Sequence, residues 1–149
     1  PAITEQGYDE LLLSLTTGNI SRFNFLFEQL IRESLSYFDT TGKQPERVYH
    51  AFVLGLIARL RHTHVIKSNR ESGYGRYDVM LIPKDHSQLG IIMEFKTLLD
   101  EKNLEEATKQ AMQQINDKQY ETELRQLDIN RILKIAIGFS GKEVFVLTQ

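Results

Sequence analysis

Residues 76–96 read RYDVMLIPKDHSQLGIIMEFK, two apolar segments joined by a polar turn. The apolar segments are rich in branched residues and predict two β-strands, over residues 76–82 and 89–95. Pro83 and the small polar residues that follow it are typical of a hairpin turn. This stretch therefore predicts an antiparallel β-hairpin.

Helical patterns precede the hairpin, and a helix followed by strands comes after it. Apolar residues at helical spacing predict helices over residues 8–17, 21–38, 46–61 and 104–124, the second with Ser21 as its N-cap. The remaining β-rich segments predict strands over residues 64–68, 132–139 and 143–147. Because the strand after the long helix must return by a crossover, this order predicts an α/β fold with a central mixed sheet flanked by helices.

Composition indicates a folded protein that is not exported. Of 149 residues, 41% are hydrophobic and 26% are charged, as in ordinary globular proteins. The absence of cysteine excludes disulfides, thiolate zinc sites and cysteine nucleophiles, and it fits a reducing cytoplasm. The longest apolar run, Ala51–Leu60, contains Arg59 and is too short to span a bilayer. We therefore expect a cytoplasmic protein without a membrane partner.

Charge is unevenly distributed. The net charge is −2 and the pI is about 6.1, which argues against binding nucleic acid through bulk charge alone. Residues 59–76 nevertheless contain five arginines and lysines against one acid, Glu71. Two interpretations fit this segment, a positive cleft or a solvated charged surface.

Three charged residues interrupt the apolar hairpin, namely Asp78, Glu94 and Lys96. Glu94 and Lys96 lie two residues apart and so face the same side of a strand, and hairpin pairing would bring Asp78 opposite Glu94. Two carboxylates and the backbone carbonyl of Phe95 would provide oxygen ligands for Mg²⁺, with Lys96 orienting water or stabilising charge on a phosphate. The alternative is a metal-free salt-bridge cluster, and spacing alone does not choose between the two.

Longer strings add a family resemblance. Besides the hairpin, they are YHAF (49–52), KSNRESGYGRYD (67–78) and QINDKQY (114–120). Together these resemble the PD-(D/E)xK nuclease superfamily, and more specifically the nuclease-like domain found C-terminal to AAA-ATPase-like modules in bacterial proteins. Tyr77 stands where the proline of the superfamily's name would be. The resemblance covers residues 45–146 and implies a restriction-endonuclease-like αβββαβ core.

The resemblance also implies a domain division. Residues 45–149 would be the nuclease-like domain, and residues 1–44 a helical lead-in that ends a larger upstream region or linker. Two arrangements fit the two helices of this lead-in, packing on the nuclease core or on a missing neighbour. The start at Pro1, without methionine, is what a fragment of a longer chain would show. There is no glycine-rich Walker string, so ATP binding would belong to a segment outside this chain.

Further site residues follow from the same resemblance. Glu46 corresponds to a helix acid ahead of the sheet, although an acid that answers the helix dipole would look the same. Gln114 corresponds to a helix glutamine that approaches the active site in related nucleases, and Gln110 shares its helix face. Tyr120 follows Gln114 by six residues instead of four, which argues against a direct role for Tyr120.

The glycine-rich string beside Asp78 predicts nucleic-acid contacts. Glycines around Tyr74 allow close approach of a phosphate, which Arg76 and Arg70 would contact, while Tyr74 would stack on a base. A tightly packed strand entry, with Arg76 paired to Glu71, is the structural alternative.

The predicted function is metal-dependent hydrolysis of nucleic-acid phosphodiesters, of DNA before RNA, with Mg²⁺ or Mn²⁺ as cofactor. Asp78, Glu94, Lys96, Glu46 and Gln114 are the predicted catalytic set. The rival hypothesis is a catalytically silent nuclease fold that binds nucleic acid or protein.

Overall fold

The computed structural model describes residues 4–34, 45–68, 77–98, 101–141 and 143–149. These residues form five α-helices and five β-strands, with short 3₁₀ turns at Ala58–Leu60 and Glu101–Asn103. The helices are α1 (Glu5–Thr17), α2 (Ile20–Ser34), α3 (Pro45–Ile57), α4 (Leu104–Asp117) and α5 (Thr122–Arg125). The strands are β1 (His64–Ser68), β2 (Val79–Pro83), β3 (Gly90–Thr97), β4 (Ile132–Ser140) and β5 (Glu143–Thr148).

Helices α1 and α2 form a tight hairpin. Gly18 ends α1 in the left-handed conformation (φ 79°), which favours glycine. The side chain of Asn19 accepts a hydrogen bond from the Arg22 N–H at 3.3 Å and so caps α2. The prediction that Ser21 is the N-cap is therefore wrong, because Ser21 already lies within α2. The predicted end of this helix, near residue 38, is outside the described residues.

The strands form one mixed sheet in the order β1-β2-β3-β4-β5. Neighbouring strands are antiparallel except for β3 and β4, which are parallel. The parallel pair follows from the crossover through α4, since a strand that returns over the sheet runs in the original direction. The predicted mixed sheet and the β2–β3 hairpin are confirmed.

Side chains alternate between two apolar layers. On β3, Met93 and Phe95 join the core formed with α1, α2 and α3, while Ile92 joins the core beneath α4 and α5. Because strand side chains alternate, Glu94 and Lys96 share the α4 face with Ile92. The α4 layer therefore covers the charged residues of the hairpin.

Helices α1 and α2 belong to the first of these cores. Leu11, Phe27 and Ile31 are buried in the same cluster as Tyr49 of α3 and Phe139 of β4. Phe27 packs edge-on against Phe139, with ring centroids 6.2 Å apart. The N-terminal helices thus cover one face of the sheet. None of the helices in the described part of the chain combines the length and apolar character needed to cross a membrane.

The helix predicted over residues 104–124 is divided, so that prediction is wrong in its second half. Helix α4 ends at Asp117, Gln119 adopts a positive φ of 52°, and α5 begins at Thr122. The break has a physical reason in packing. It places Tyr120 and Leu124 in the core beneath α4, and burial of two large side chains outweighs the cost of one left-handed residue.

Candidate active site

Asp78 and Glu94 meet where the β2–β3 hairpin opens. Val79 pairs with Met93 as the last pair of the β2–β3 ladder, and the carboxylate of Asp78, the residue before it, interacts electrostatically with that of Glu94. The Asp78 N–H donates to the Met93 carbonyl at 3.1 Å, and the Phe95 N–H donates to Asp78 Oδ2 at 2.8 Å. The Asp78 carboxylate thus accepts the hydrogen bond that a backbone carbonyl of the neighbouring strand would accept in a regular sheet. This bond fixes Asp78 just before β2. The predicted approach of the two acids is present in the structure.

The Glu94 carboxylate is only partly satisfied. The residue is 5% exposed, and Gln114 Nε2 donates a long hydrogen bond to its Oε1 at 3.4 Å. Its Oε2 atom is buried, and no N–H or O–H donor of the described residues bonds it, while the Asp78 carboxyl lies close enough to share a proton with the Glu94 carboxyl. A buried acceptor without a donor is costly, and a cation is one group that would remove that cost.

The electrostatics of this acid pair favour uptake of positive charge. Burial, followed by the negative charge of Asp78, raises the pKa of Glu94 to about 9. Burial also raises the pKa of Asp78, against the hydrogen bond from the Phe95 N–H, which lowers it. The charge of Lys96 lowers both pKa values and that of Glu46 raises both. At neutral pH the pair therefore retains a proton unless a cation takes its place.

Lys96 does not form the salt-bridge cluster that was the alternative interpretation. It is half-buried on the α4 face, and no carboxylate of the described residues lies within the 4.0 Å salt-bridge limit of its Nζ. Its charge nevertheless lowers the pKa of both acids, so it lies within electrostatic range of them. Lys96 is therefore a positive group near the two acids that is not ion-paired with either of them.

Glu46 lies in the first turn of α3, and its side chain is exposed. Its negative charge raises the pKa of both Asp78 and Glu94, which places it near the pair. Within the described ranges, however, no three His, Cys, Asp or Glu side chains come close enough to hold a metal ion by themselves. A cation at this site would therefore need ligands besides carboxylates.

Helix α4 supplies Gln114 and not Gln110, which is exposed. Besides reaching Glu94, Gln114 Nε2 lies 3.3 Å from the Tyr120 hydroxyl. Burial raises the pKa of Tyr120, and the charges of Glu94 and Asp78 raise it further. The spacing of six residues argued against a direct role for Tyr120, yet the turn after Asp117 brings its hydroxyl to Gln114. The polar run Asn116–Gln119 was the sequence signal for that turn.

The residues predicted to contact nucleic acid cannot be placed relative to the acid pair. Arg70, Tyr74 and Arg76 lie outside the described residues. Two other cations of the positive segment are already paired, Arg59 with Glu5 of α1 and Lys67 with Glu123 of α5 at 2.6 Å. Those two charges therefore contribute less to a positive cleft than the sequence pattern suggested.

The fold and the acid pair define a class. A mixed sheet between helical layers, with an Asp/Glu pair at a hairpin opening and a lysine two residues on, is the arrangement of restriction-endonuclease-like domains. A family model described as the PD-(D/E)XK nuclease superfamily matches residues 44–149, and the chain belongs to that superfamily. No curated protein sequence and no solved structure matched the chain. The predicted fold class is confirmed.

The raised pKa of Glu94 predicts a pH-dependent stability of the metal-free protein. Its ordinary value is 4.5 and its folded value about 9, so between these values the folded state holds more protons than the unfolded chain. Stability from this group is complete below the ordinary pKa and is lost as pH rises through the folded pKa. We expect the melting temperature in EDTA to fall from pH 5 to pH 9, measured by scanning calorimetry.

Glu94→Gln is the matched control for this measurement. It keeps the shape of the side chain and cannot ionise, so its melting temperature should fall less over the same pH range. Equal slopes for the wild-type protein and the variant would show that Glu94 does not hold the proton.

Proposed function

We propose that this domain hydrolyses phosphodiester bonds in nucleic acid, with DNA preferred over RNA, and that it uses Mg²⁺ or Mn²⁺. The observation that carries this proposal is the Glu94 carboxylate, which is buried without a donor to its Oε2 atom among the described residues and lies beside a second acid, Asp78. Membership of the nuclease superfamily supports the same reaction class.

Asp78, Glu94 and the backbone carbonyl of Phe95 are the proposed cation ligands. Strand geometry supports the third, because the N–H and C=O of one strand residue point to the same side. The Phe95 N–H donates to Asp78 Oδ2, so the Phe95 carbonyl is directed to the side of the sheet edge where Asp78 lies. Hard divalent cations prefer such oxygen ligands. When bound, the cation supplies positive charge that offsets the charge developing on the phosphate.

The neighbouring side chains have separate proposed roles. Lys96 orients the attacking water or stabilises negative charge on the phosphate. Gln114 holds Glu94 Oε1 and thereby leaves Oε2 directed to the cation. Glu46 contacts the cation or its water from the start of α3, a position supported by its effect on both acids.

Three further proposals rest on the sequence: the nucleic-acid contacts, the attachment to a larger protein and the cellular location. Arg70 and Arg76 would contact phosphates and Tyr74 would stack on a base, since their string leads directly into Asp78. The resemblance of residues 49–52, 67–78 and 114–120 supports attachment to an AAA-ATPase-like region. The cysteine-free composition fits action in the cytoplasm.

Cleavage assays test the proposal. Plasmid DNA, single-stranded DNA and RNA are incubated with the protein in Mg²⁺, in Mn²⁺ and in EDTA, and Mn²⁺ binding is measured by calorimetry. We expect metal-dependent cleavage of DNA and one class of Mn²⁺ site. Mn²⁺ binding without cleavage of any substrate would favour the silent module, and absence of both would refute the site.

Asp78→Asn should weaken Mn²⁺ binding and abolish cleavage. The amide keeps the size of the side chain but removes one of two negative charges, so we expect Mn²⁺ affinity to fall by about tenfold or more and cleavage to be lost. The circular dichroism spectrum should be unchanged, which shows that the loss is local. Cleavage that persists in this variant would contradict the role of Asp78.

A further inference from the structure

Glu123 of α5 contacts two side chains from different parts of the hairpin region. Its Oε2 pairs with Lys67 Nζ of β1 at 2.6 Å, and its Oε1 accepts a hydrogen bond from the Tyr77 hydroxyl at 3.0 Å. Tyr77 directly precedes Asp78. One carboxylate thus ties α5 both to β1 and to the residue before the first acid.

Tyr77 also connects to the second acid through aromatic packing. Its side chain is buried, and its ring packs edge-on against Tyr120 with centroids 5.6 Å apart and an interplanar angle of 85°. Gln114 Nε2 lies 3.3 Å from the Tyr120 hydroxyl and donates to Glu94 at 3.4 Å. A continuous set of contacts therefore runs from Glu123 to both carboxylates.

We propose that Glu123 is a positioning residue for the acid pair and that it acts through Tyr77. We name Glu123, Tyr77, Tyr120 and Gln114 the tyrosine clamp. The clamp fixes the backbone that carries Asp78 on one side and the orientation of Gln114 towards Glu94 on the other. This inference rests on the proposed cation site, since its consequence is the spacing of the two ligands.

The two contacts of Glu123 differ in how much they stabilise the folded protein. The pair with Lys67 is half-exposed, with side-chain exposures of 48% and 30%, and such pairs contribute little. The Tyr77 hydroxyl belongs to a residue that is 3% exposed, and a hydrogen bond from a buried hydroxyl to a carboxylate contributes more than an exposed ion pair. The contact with Tyr77 is therefore the one that positions Asp78.

Calorimetric Mn²⁺ titration of the full chain tests the clamp. Glu123→Ala and Tyr77→Phe should each weaken Mn²⁺ binding by about tenfold, as loss of groups that orient metal ligands commonly does. The double variant should bind no more weakly than the weaker single variant, because both changes remove the same contact. Glu123→Gln keeps an acceptor oxygen for Tyr77 and should restore most of the affinity.

Two controls separate positioning from folding. Lys67→Met removes only the ion pair and should leave the affinity unchanged. Tyr49→Phe removes a buried hydroxyl bonded to the Gly141 carbonyl at 2.5 Å in the core on the opposite face, so it should lower the melting temperature without changing Mn²⁺ affinity.

The outcomes are distinct. Unchanged affinity in Glu123→Ala and Tyr77→Phe would overturn the positioning role and leave the cation site intact. A wild-type protein that binds no Mn²⁺ would overturn both the clamp and the proposed function.

Discussion

Lys96→Met is expected to reduce metal-dependent cleavage by about 10²–10³-fold, the usual cost of removing one group that stabilises transition-state charge. Methionine retains much of the aliphatic volume of lysine and lacks its charge. Because Lys96 forms no ion pair with a carboxylate within the described residues, its removal leaves no partner unpaired. Mn²⁺ affinity should therefore stay within a few-fold of the wild-type value, as a cationic neighbour does not attract a cation.

Single-turnover cleavage and calorimetry measured on the same preparations check this separation. Lys84→Met is the matched control, since Lys84 is exposed and follows β2 at the end away from Asp78; its cleavage rate should be unchanged. Loss of Mn²⁺ binding in Lys96→Met would indicate a structural role for the lysine. An unchanged cleavage rate would remove Lys96 from the reaction.

Deletion of residues 1–44 is expected to prevent folding of the remainder. The family match begins at residue 44, and the sequence alone left open whether the two preceding helices pack on this domain or on a missing neighbour. In the structure, however, α1 and α2 bury Leu11, Leu15 and Phe27 in the same core as the sheet residues Ile137 and Phe139. Without these helices only α3, of the helices described, would cover this face of the sheet, and the apolar surface left exposed is expected to prevent folding.

Circular dichroism and thermal melting of residues 45–149 test this expectation. Point variants in α2 give a matched comparison, because Phe27 is 1% exposed and Phe25 is 61% exposed. Phe27→Ala should destabilise the full chain by about 3–5 kcal/mol, and Phe25→Ala by no more than about 0.5 kcal/mol. A cooperative melt of residues 45–149 at the temperature of the full chain would instead support an independent lead-in.

The acid pair was predictable because the hairpin and the placement of charges within its strands both depend on residues close together in the chain. Continuous apolar runs on either side of a polar turn specify a hairpin, and charges inside such strands stand out against their neighbours. The closeness of Asp78 and Glu94 follows from that hairpin. Spacing could not exclude a salt-bridge cluster, since the position of a long lysine side chain depends on groups that lie far away in the chain.

Helix α4 shows where local reasoning failed. Its periodic pattern predicted one helix to residue 124, yet packing of Tyr120 and Leu124 against the sheet ends it at Asp117. The same turn brings the Tyr120 hydroxyl to Gln114, a contact that one continuous helix did not predict. Gln110 and Gln114 lie on the same face of the helix in a helical-wheel projection. Only the packing of α4 against the sheet determines that Gln114, and not Gln110, reaches Glu94.

The sequence by itself determined the mixed sheet, the hairpin and the positions of the two acids and the lysine on it, because period, turn residues and charge placement act over a few positions. The tertiary structure decided which groups complete the surroundings of Asp78, Glu94 and Lys96. Glu123 meets Lys67 and Tyr77 across 56 and 46 positions of the chain, and contacts of that separation depend on how whole layers pack.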